Sequence, residues 1–428
     1  MNLSVKPATQ LKGKVFLPAS KSYSIRACII AACGGMSTIN SISDCDDAKV
    51  ALKIARALGA DIKPLKNNSY RIKAFHHPFK LSSVNVQESG TVLRFLLPLV
   101  SLYAAQSIID GEGTLKGRPN LFLTQTLREM GVDIKGTGPK ESVPIHFHGG
   151  NLHAGDIAID GSLSSQFISA LLIACPQLKG DSTLTLKGKK LVSSDYITMT
   201  IQILKKSGIV VQQRGQRYFA IKGLQKFKGL KNFTVPSDYG LAAFLLAAAC
   251  LVNSDVTLTG FLSDDFIQAD GQILNFLKKM GARFTKTSKF LRVQGPCSLK
   301  GGDFSLKSCP DLVPIMAVLA LFADGRTRLY DIAHARAKES DRISDLRTEL
   351  LKLGAKVSET ANELIIEPQA SYKENCVLDP HHDHRLAMAF SVFGLRHPVV
   401  VKDVECTHKS YPGFFKDFKA LGAKVFKQ

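Results

Sequence analysis

The sequence predicts an α/β fold built from six related units in two similar domains. A glycine between a helix-like stretch and a β-rich stretch recurs six times, at intervals of 68 to 77 residues. Six apolar helix-like segments alternate with these glycines and begin near residues 24, 91, 166, 239, 312 and 384. Because a fixed period is the signature of a repeated supersecondary unit, we predict three units of about 70 residues in each domain.

The recurring glycines predict where the more polar helices end. They are Gly59, Gly131, Gly208, Gly281, Gly354 and Gly422. Each stands where a helix needs a left-handed residue just past its end, which glycine supplies without steric cost. These polar helices should be amphipathic, whereas the six apolar helices should be buried on all sides. Short β-rich runs, such as residues 37–40 and 255–258, follow the apolar helices.

Length and composition exclude several classes of protein. The chain has 428 residues, of which 45% are apolar and 21% charged, as in ordinary globular proteins. Its longest clean apolar run, residues 241–252, is too short to span a bilayer, and the first residues show no secretory signal. Nine cysteines without a CxxC pair favour reduced thiols. We therefore expect a cytoplasmic protein with a domain boundary after residues 223–232.

The charge balance is unusually basic, with 56 Lys and Arg against 36 Asp and Glu, a formal net charge of +20. Such an excess fits nucleic acid, small polyanionic ligands or a solvated basic surface. The absence of Trp and the 8% aromatic content disfavour a base-stacking platform. Composition alone leaves the three alternatives open.

Candidate functional residues stand at the starts of the apolar segments, where free helix N–H groups favour anions. Residues 17–26 place Lys21, Ser22 and Arg26 at one helix start, in a pattern suited to phosphate or carboxylate. Gly90 opens the next helix, and a glycine-rich loop at 110–119 contains Arg118. The hydroxyls and amide of residues 164–166 open another apolar helix. Each pattern is also consistent with an ordinary helix cap or turn.

Three further clusters lie in the second half of the chain. Asp311 precedes an apolar helix. Lys338 and Arg342 are predicted to share a helix face beside Glu339, a carboxylate among cations that suits proton transfer. Residues 381–385 read HHDHR, which suggests either a metal site or anion binding by His384 and Arg385. No Walker A loop, dinucleotide fingerprint, nucleophile elbow or HExxH motif is present.

Together these motifs resemble the 5-enolpyruvylshikimate-3-phosphate synthase family. The resemblance covers residues 17–409 and rests on LPASKS with Arg26, SSQF at 164–167, KESDR at 338–342, DHR at 383–385 and CTHKSYP at 406–412. It implies an inside-out α/β barrel in each domain, made of three βαβαββ repeats around buried helices. The implied domains are residues 20–235, and residues 1–19 with 236–428, with the active site in the cleft between them.

The resemblance also implies the reaction and its residues. The enolpyruvyl group of phosphoenolpyruvate passes to the 5-hydroxyl of shikimate 3-phosphate, phosphate is released, and neither metal nor cofactor is needed. The implied catalytic residues are Asp311, Glu339, Lys21 and His384. Those implied to bind shikimate 3-phosphate are Lys21, Ser22, Arg26, Ser164, Ser165, Gln166, Ser193, Tyr196, Asp311, His334 and Lys338. Those implied to bind phosphoenolpyruvate are Lys21, Gly90, Arg118, Gln166, Arg342, Arg385 and Lys409.

Three positions depart from the family pattern. Ala19 stands where a glycine is frequent, Glu88 where an amide is usual, and His334 where an asparagine commonly contacts the substrate.

There are three rival hypotheses for the function. The first is a UDP-sugar enolpyruvyl transferase, which is disfavoured because residues 110–119 lack a cysteine. The second is an RNA 3′-phosphate cyclase, and the third is a basic binding protein without catalysis. We expect a monomer whose partners are the two small substrates, with neither nucleic acid nor membrane involved.

Overall fold

The computed structural model of the protein describes residues 1–74, 81–102, 106–188 and 191–428. Its helices are α1 Lys21–Ala32, α2 Asp46–Ala57, α3 Gly90–Ser101, α4 Leu121–Glu129, α5 Ser165–Ala174, α6 Ser194–Lys206, α7 Tyr239–Leu251, α8 Gln272–Lys279, α9 Val313–Leu321, α10 Ser344–Lys352, α11 His384–Phe393 and α12 Phe414–Ala420. Short 3₁₀ helices cover Gly113–Gly117, Cys175–Gln177, Ala269–Gly271, Pro310–Leu312, Ala333–Ala337 and Val404–Lys409.

The strands are short and distributed along the chain. They are β1 Leu3–Lys6, β2 Leu11–Phe16, β3 Met36–Asn40, β4 Asp61–Pro64, β5 Tyr70–Lys73, β6 Ser83–Asn85, β7 Ser107–Asp110, β8 Val132–Thr137, β9 Ser142–Gly150, β10 Asp156–Asp160, β11 Ser182–Lys187, β12 Val211–Arg214, β13 Tyr218–Ile221, β14 Lys231–Thr234, β15 Ser254–Thr259, β16 Phe284–Lys286, β17 Phe290–Gly295, β18 Asp303–Ser305, β19 Thr327–Tyr330, β20 Lys356–Glu359, β21 Glu363–Glu367, β22 Cys376–Leu378, β23 Val399–Val401 and β24 Lys424–Lys427.

The chain forms two compact units, one of Ala19–Val235 and one of Met1–Pro18 with Pro236–Gln428. The first unit contains sheets in the orders β14-β3-β5-β4, β6-β7-β9-β8 and β10-β11-β13-β12. The second contains β16-β17-β15-β2, β18-β19-β21-β20 and β22-β23-β1-β24. Every sheet has one parallel pair and two antiparallel pairs. The predicted α/β class and the six repeats are therefore confirmed.

Two segments complete sheets far from their own place in the sequence. β1 pairs with β23 and β24, so the N-terminal strand takes the position in its sheet that β21 takes in the neighbouring repeat. β14 pairs in parallel with β3, which lies almost two hundred residues earlier. Each unit therefore has one sheet that is complete only when a strand distant in the sequence, β1 or β14, has paired.

Helix burial follows the predicted alternation. Every residue of α7, α9 and α11 is buried, whereas α8 buries only Ile273 and Leu277. All six recurring glycines have positive φ, between 77° and 111°, as predicted for the residue after a helix. Within the described residues, no helix is long and apolar enough to cross a membrane.

One local prediction is wrong. Lys338 and Arg342 do not share a helix face, because residues 338–343 connect the 3₁₀ helix Ala333–Ala337 to α10, which begins only at Ser344. Arg342 is fully buried. The i, i+4 spacing was misread because tertiary contacts, rather than a helical face, determine the position of this arginine.

Candidate active site

Arg342 is the centre of a buried ionic cluster in the second unit. Its Nε donates to Asp383 Oδ2 at 2.7 Å, Nη1 to Asp311 Oδ1 at 2.7 Å and Nη2 to Glu339 Oε2 at 2.9 Å. A further Nη2 hydrogen bond reaches Asp383 Oδ1 at 3.3 Å. Four of the five guanidinium N–H donors thus bind carboxylates. Together these bonds hold Asp311 and Glu339, the two proposed catalytic carboxylates, on one cation.

Asp311 has two more cationic neighbours. Arg385 Nη2 lies 2.8 Å from Asp311 Oδ2, and Lys338 Nζ lies 3.7 Å from Oδ1. Asp311 occupies the 3₁₀ helix Pro310–Leu312 that leads into α9, whereas Arg385 is the second residue of α11. The starts of two buried helices therefore present opposite charges to each other.

Burial and charge act in opposite directions on the Asp311 carboxyl group. Burial alone would raise its pKa, but Arg385, Lys338 and Arg342 together hold that pKa well below its ordinary value. Asp311 is therefore ionised at neutral pH. Because each carboxylate oxygen can accept two hydrogen bonds, Oδ2 keeps acceptor capacity beyond its contact with Arg385.

Asp270 and His334 are two further ionisable groups near Asp311. Asp270, in the 3₁₀ helix Ala269–Gly271, lies 3.7 Å from Arg385, and burial raises its pKa to about 7. His334 is buried, and desolvation together with nearby Lys338 lowers its pKa to about 3. Its imidazole is therefore neutral at physiological pH. In the structure its buried Nε2 has no hydrogen-bond partner among the described residues.

Replacement of Asp270 by Asn should change how stability depends on pH. With a pKa near 3.8 unfolded and about 7 folded, the folded state binds the proton more tightly. This contribution to stability is present at low pH and is lost as pH rises through 7. Wild type should therefore lose stability relative to Asp270→Asn between pH 5 and pH 8, by about 1 kcal/mol or more. Urea-unfolding midpoints measure this difference; parallel pH profiles for the two proteins would contradict it. Asp303→Asn, at an exposed ion pair, is the control.

The histidines at 381–384 face different partners. His381 Nε2 lies 3.2 Å from Glu349, and His382 Nδ1 lies 2.6 Å from Asp403. His384 is buried at the first position of α11, whose N-cap is Asp383. Among the described residues, no group of three or more His, Cys, Asp or Glu side chains is arranged to hold a metal ion. Lys409, the last of the predicted cations here, is buried at the end of the 3₁₀ helix Val404–Lys409.

In the first unit, Arg26 is a buried cation whose hydrogen bonds go to neutral oxygens and whose guanidinium also lies over the Phe95 and Tyr196 rings. Its guanidinium donates to Thr200 Oγ1 at 2.8 Å, to the Ser22 carbonyl at 3.0 Å and to the Tyr196 carbonyl at 3.1 Å. It makes no ion pair with a carboxylate of the described residues, and burial lowers its pKa to about 10. Because a buried charge without a counter-ion is costly, this region favours an anionic ligand.

Lys21 and Gln166 are each held by a residue that sequence reasoning did not select. Lys21, the first residue of α1, lies 3.0 Å from Asp47. Gln166 accepts a hydrogen bond from Arg94 at 2.6 Å and donates to Thr91 at 2.9 Å, which joins the starts of α3 and α5. These contacts fix the side-chain positions of Lys21 and Gln166 before any ligand binds.

Gly90 and Arg118 are in direct contact. A Cβ atom on Gly90 would lie 2.7 Å from Arg118 Nη1, so the guanidinium covers the start of α3. Glu88 accepts a hydrogen bond from Thr114 at 3.1 Å, and its carboxylate occupies the space beside Gly113. Glu88 therefore connects the turn before α3 to the loop that carries Arg118.

The predicted hydroxyl groups lie at helix starts in the same unit. Ser164 is the N-cap of α5 and accepts from the Gln166 backbone N–H at 3.3 Å; Ser165 is the first, buried residue of that helix. Ser193 precedes α6 in a left-handed conformation, with φ of 54°, and Tyr196 lies in the first turn. Free N–H groups at these helix starts suit a phosphate or carboxylate.

Sequence reasoning missed Asp47, Arg94, Asp270 and Asp383 as members of the site. Asp383 could have been found, because it stands inside the HHDHR motif and before a helix, where an N-cap is expected. Arg94 lies four residues after Gly90, in the helix that Gly90 opens, so its side chain is expected near that helix start. Asp47 and Asp270 carry no comparable local signal, since their roles depend on contacts with residues distant in the sequence.

The fold is that of the enolpyruvyl transferases. The solved structure of the enolpyruvyl transferase NikO from Streptomyces tendae matches 99% of this chain and 98% of its own, with a TM-score of 0.78 at 18% sequence identity. A solved EPSP synthase from Acinetobacter baumannii matches the whole of both chains, with a TM-score of 0.80 at 27% identity.

The sequence comparisons identify the family within the enolpyruvyl transferases. Residues 5–418 match the family described as EPSP synthase (3-phosphoshikimate 1-carboxyvinyltransferase). The 3-phosphoshikimate 1-carboxyvinyltransferase of Methanococcus aeolicus is 33% identical over 98% of this chain and 99% of its own. That of Methanosarcina acetivorans is 34% identical over 99% of each chain. The chain belongs to the EPSP synthase family.

Proposed function

We propose that this protein transfers the enolpyruvyl group of phosphoenolpyruvate to the 5-hydroxyl of shikimate 3-phosphate and releases phosphate. The observation that carries the proposal is the pair of carboxylates, Asp311 and Glu339, held on Arg342 with Arg385 and Lys338 beside Asp311. The reaction needs one group that accepts the proton of the 5-hydroxyl and one that protonates C3, and carboxyl groups can do both. Cations beside them can hold the two anionic substrates. Membership of the family and the carboxyvinyltransferase relatives support the same reaction.

In the proposed mechanism, the 5-hydroxyl of shikimate 3-phosphate attacks C2 of phosphoenolpyruvate and gives its proton to Asp311. Glu339, in its protonated form, delivers a proton to C3, which yields a tetrahedral intermediate. The intermediate then loses phosphate, which leaves with the proton from Asp311, and the Glu339 carboxylate takes a proton back from C3 to restore the enol ether. Asp311 suits its role because it is ionised, and Glu339 because Arg342 holds it within the same cluster.

The proposal assigns the remaining predicted residues to the two substrates. Shikimate 3-phosphate takes the anion site around Arg26 and the helix starts of α5 and α6. Phosphoenolpyruvate takes Lys21, Gly90, Arg118, Gln166, Arg342, Arg385 and Lys409. Because Arg342 and Arg385 already pair with Asp311, phosphoenolpyruvate has to compete with that carboxylate for their donors. His384 remains a proposed auxiliary residue at the start of α11.

The function is tested by phosphate release from the purified protein. We expect release that needs both substrates, continues in EDTA and stops when either is omitted. The matched control is the same preparation with shikimate in place of shikimate 3-phosphate, which removes the anion that the Arg26 region should bind. Release from phosphoenolpyruvate alone would contradict the transfer reaction, and inhibition by EDTA would indicate a metal-dependent step.

Gly90→Ala should selectively weaken phosphoenolpyruvate binding. The added methyl group must displace the Arg118 guanidinium, the end of a flexible side chain, so the fold should tolerate the change. We expect KM for phosphoenolpyruvate to rise about tenfold, the loss of roughly one charge-assisted hydrogen bond, with KM for shikimate 3-phosphate nearly unchanged. Gly117→Ala, in the same loop with open space around its Cβ, is the matched control. Equal increases in both KM values would contradict the assignment of Arg118.

We also propose that the enzyme works as a monomer in the cytoplasm. None of the nine cysteines is in a disulfide, which fits a reducing compartment. Size-exclusion chromatography with light scattering should give the mass of a single chain, 46.6 kDa.

A further inference from the structure

A basic cavity lies on the β16-β17-β15-β2 sheet, and none of the clustered carboxylates lines it. It is an open cavity of about 600 Å³, within the range of roughly 300–1,000 Å³ of small-molecule sites. Its walls include Lys12, Lys14, Lys289 and Arg292. None of the residues assigned above to either substrate lines it, so its role is independent of the proposed function.

The cavity carries a net positive charge. Arg292 is neutralised by Asp255 through two hydrogen bonds of 2.7 Å, the single carboxylate among the residues that line the cavity. Lys12, Lys14 and Lys289 are exposed, and although Lys12 also helps Arg292 to lower the pKa of the Asp255 carboxyl group, four cations face this single carboxylate. Three lysine charges therefore remain for a ligand. One phosphate carries about −1.5 to −2 charges, so the charge matches a chain of phosphates better than a single one.

Strand register orders the side chains of this face in parallel rows. Lys14 on β2 pairs with Thr257 on β15, which pairs with Arg292 on β17. Two residues further along, Phe16 pairs with Thr259, which pairs with Phe290. Since alternate residues of a strand share a face about 7 Å apart, cations form one row and two aromatic rings flank a hydroxyl in the next.

The aromatic row is unusual for a solvent-facing surface. Phe16 is 74% exposed, the highest fraction among the large hydrophobic side chains of the described residues. Phe290 lines the cavity itself. An exposed ring can stack on a planar group of a ligand, and the neighbouring lysines can contact its phosphates. Thr257 and Thr259 add two hydroxyl groups to the same cavity.

We propose that this cavity, formed by β2, β15 and β17, binds a nucleoside triphosphate. Lys12, Lys14 and Lys289 contact the phosphates. Phe290, with Phe16 on the far side of Thr259, stacks on the base, and the two threonines contact the sugar. A single nucleotide is favoured over a nucleic acid strand because the cavity, at about 600 Å³, has the size of a small-molecule site.

The test is calorimetric titration of the full-length protein with ATP, in low salt and with shikimate 3-phosphate present so that anion binding in the proposed active site is suppressed. We expect saturable binding, weakened about tenfold by Lys14→Glu and about tenfold by Phe290→Ala. The matched controls are Lys356→Glu, at an exposed lysine like Lys14, and Phe426→Ala, at a phenylalanine that is 51% exposed; both lie on other sheets of the same unit and should change affinity less than twofold. All four variants should keep wild-type phosphate release if the proposed function holds.

Three further ligands identify what is recognised. Inorganic tripolyphosphate should bind at least fivefold more weakly than ATP and be insensitive to Phe290→Ala, and adenosine should bind weakest. Absence of ATP binding, or binding unaffected by Lys14→Glu, would overturn the proposal. Equal affinity for tripolyphosphate and ATP would show a polyphosphate site without base recognition. Tighter binding of oligothymidylate than of ATP would show a site for single-stranded nucleic acid. Either result would overturn the proposal of a nucleoside triphosphate site.

Discussion

Asp311→Asn is expected to lower kcat by about 10²–10⁴-fold while substrate binding persists. The amide has almost the same shape as the carboxylate but cannot accept the proton of the 5-hydroxyl group. Because Arg342 and Arg385 then lose a competing anion, KM for phosphoenolpyruvate should stay constant or fall. A large loss of kcat with unchanged or lower KM is the signature of a group that acts in the transition state.

The control for this experiment is Asp303→Asn, the same chemical change at an exposed carboxylate that pairs with Arg326 in the same unit. It should keep wild-type kinetics. Glu339→Gln provides the second comparison, because it removes the other carboxylate on Arg342 and should also lower kcat by about 10²–10⁴-fold. Isotope exchange separates the two roles: Glu339→Gln should abolish solvent-deuterium incorporation at C3. Wild-type turnover in Asp311→Asn would remove this residue from the mechanism.

Arg342→Met is expected to produce the largest loss of stability. Methionine fills much of the same volume, but it leaves Asp383, Glu339 and Asp311 without their shared cation. Asp383 is fully buried, and removing one partner of a buried pair costs about 3–5 kcal/mol because a desolvated charge remains. The urea midpoint at pH 7 should fall accordingly, and activity should be lost.

The pH dependence distinguishes this cause from lost packing. The uncompensated carboxylates of Arg342→Met can be protonated, so its stability deficit should narrow as pH falls from 7 to 5. A packing defect would give a deficit that is independent of pH. Arg292→Met is the matched control, because its ion pair with Asp255 is largely exposed and such pairs contribute only about 0–1 kcal/mol. Equal effects of the two substitutions would contradict a central role for the buried cluster.

Local patterns were sufficient to predict the repeated architecture. The six glycines and the alternation of apolar and polar helices depend on contacts within a few residues, where helix geometry fixes which positions share a face and where a left-handed residue must follow. The positive φ values of all six glycines and the complete burial of α7, α9 and α11 agree with that local prediction. The family motifs, which are short and contiguous, likewise identified the candidate residues.

The structure corrects the interpretation where helix periodicity was assumed. Lys338 and Arg342 were predicted to lie on one helix face, yet the chain is not helical between Ala337 and Ser344. Spacing of i and i+4 is informative only inside a helix. Here the preference of a buried guanidinium for several carboxylates outweighs local propensity and determines the conformation.

The sequence by itself determined the repeats, the order of helices and strands, and which polar residues stand at helix starts. Only the tertiary structure decided the partners of those residues: Arg342 meets Asp383 across 41 residues, and Arg94 meets Gln166 across 72. It also decided that Asp311 is held ionised, that Asp270 binds its proton more tightly, and that His334 is neutral. The physical reason is that burial and electrostatic interaction depend on distance in space, which pairings remote in the sequence establish.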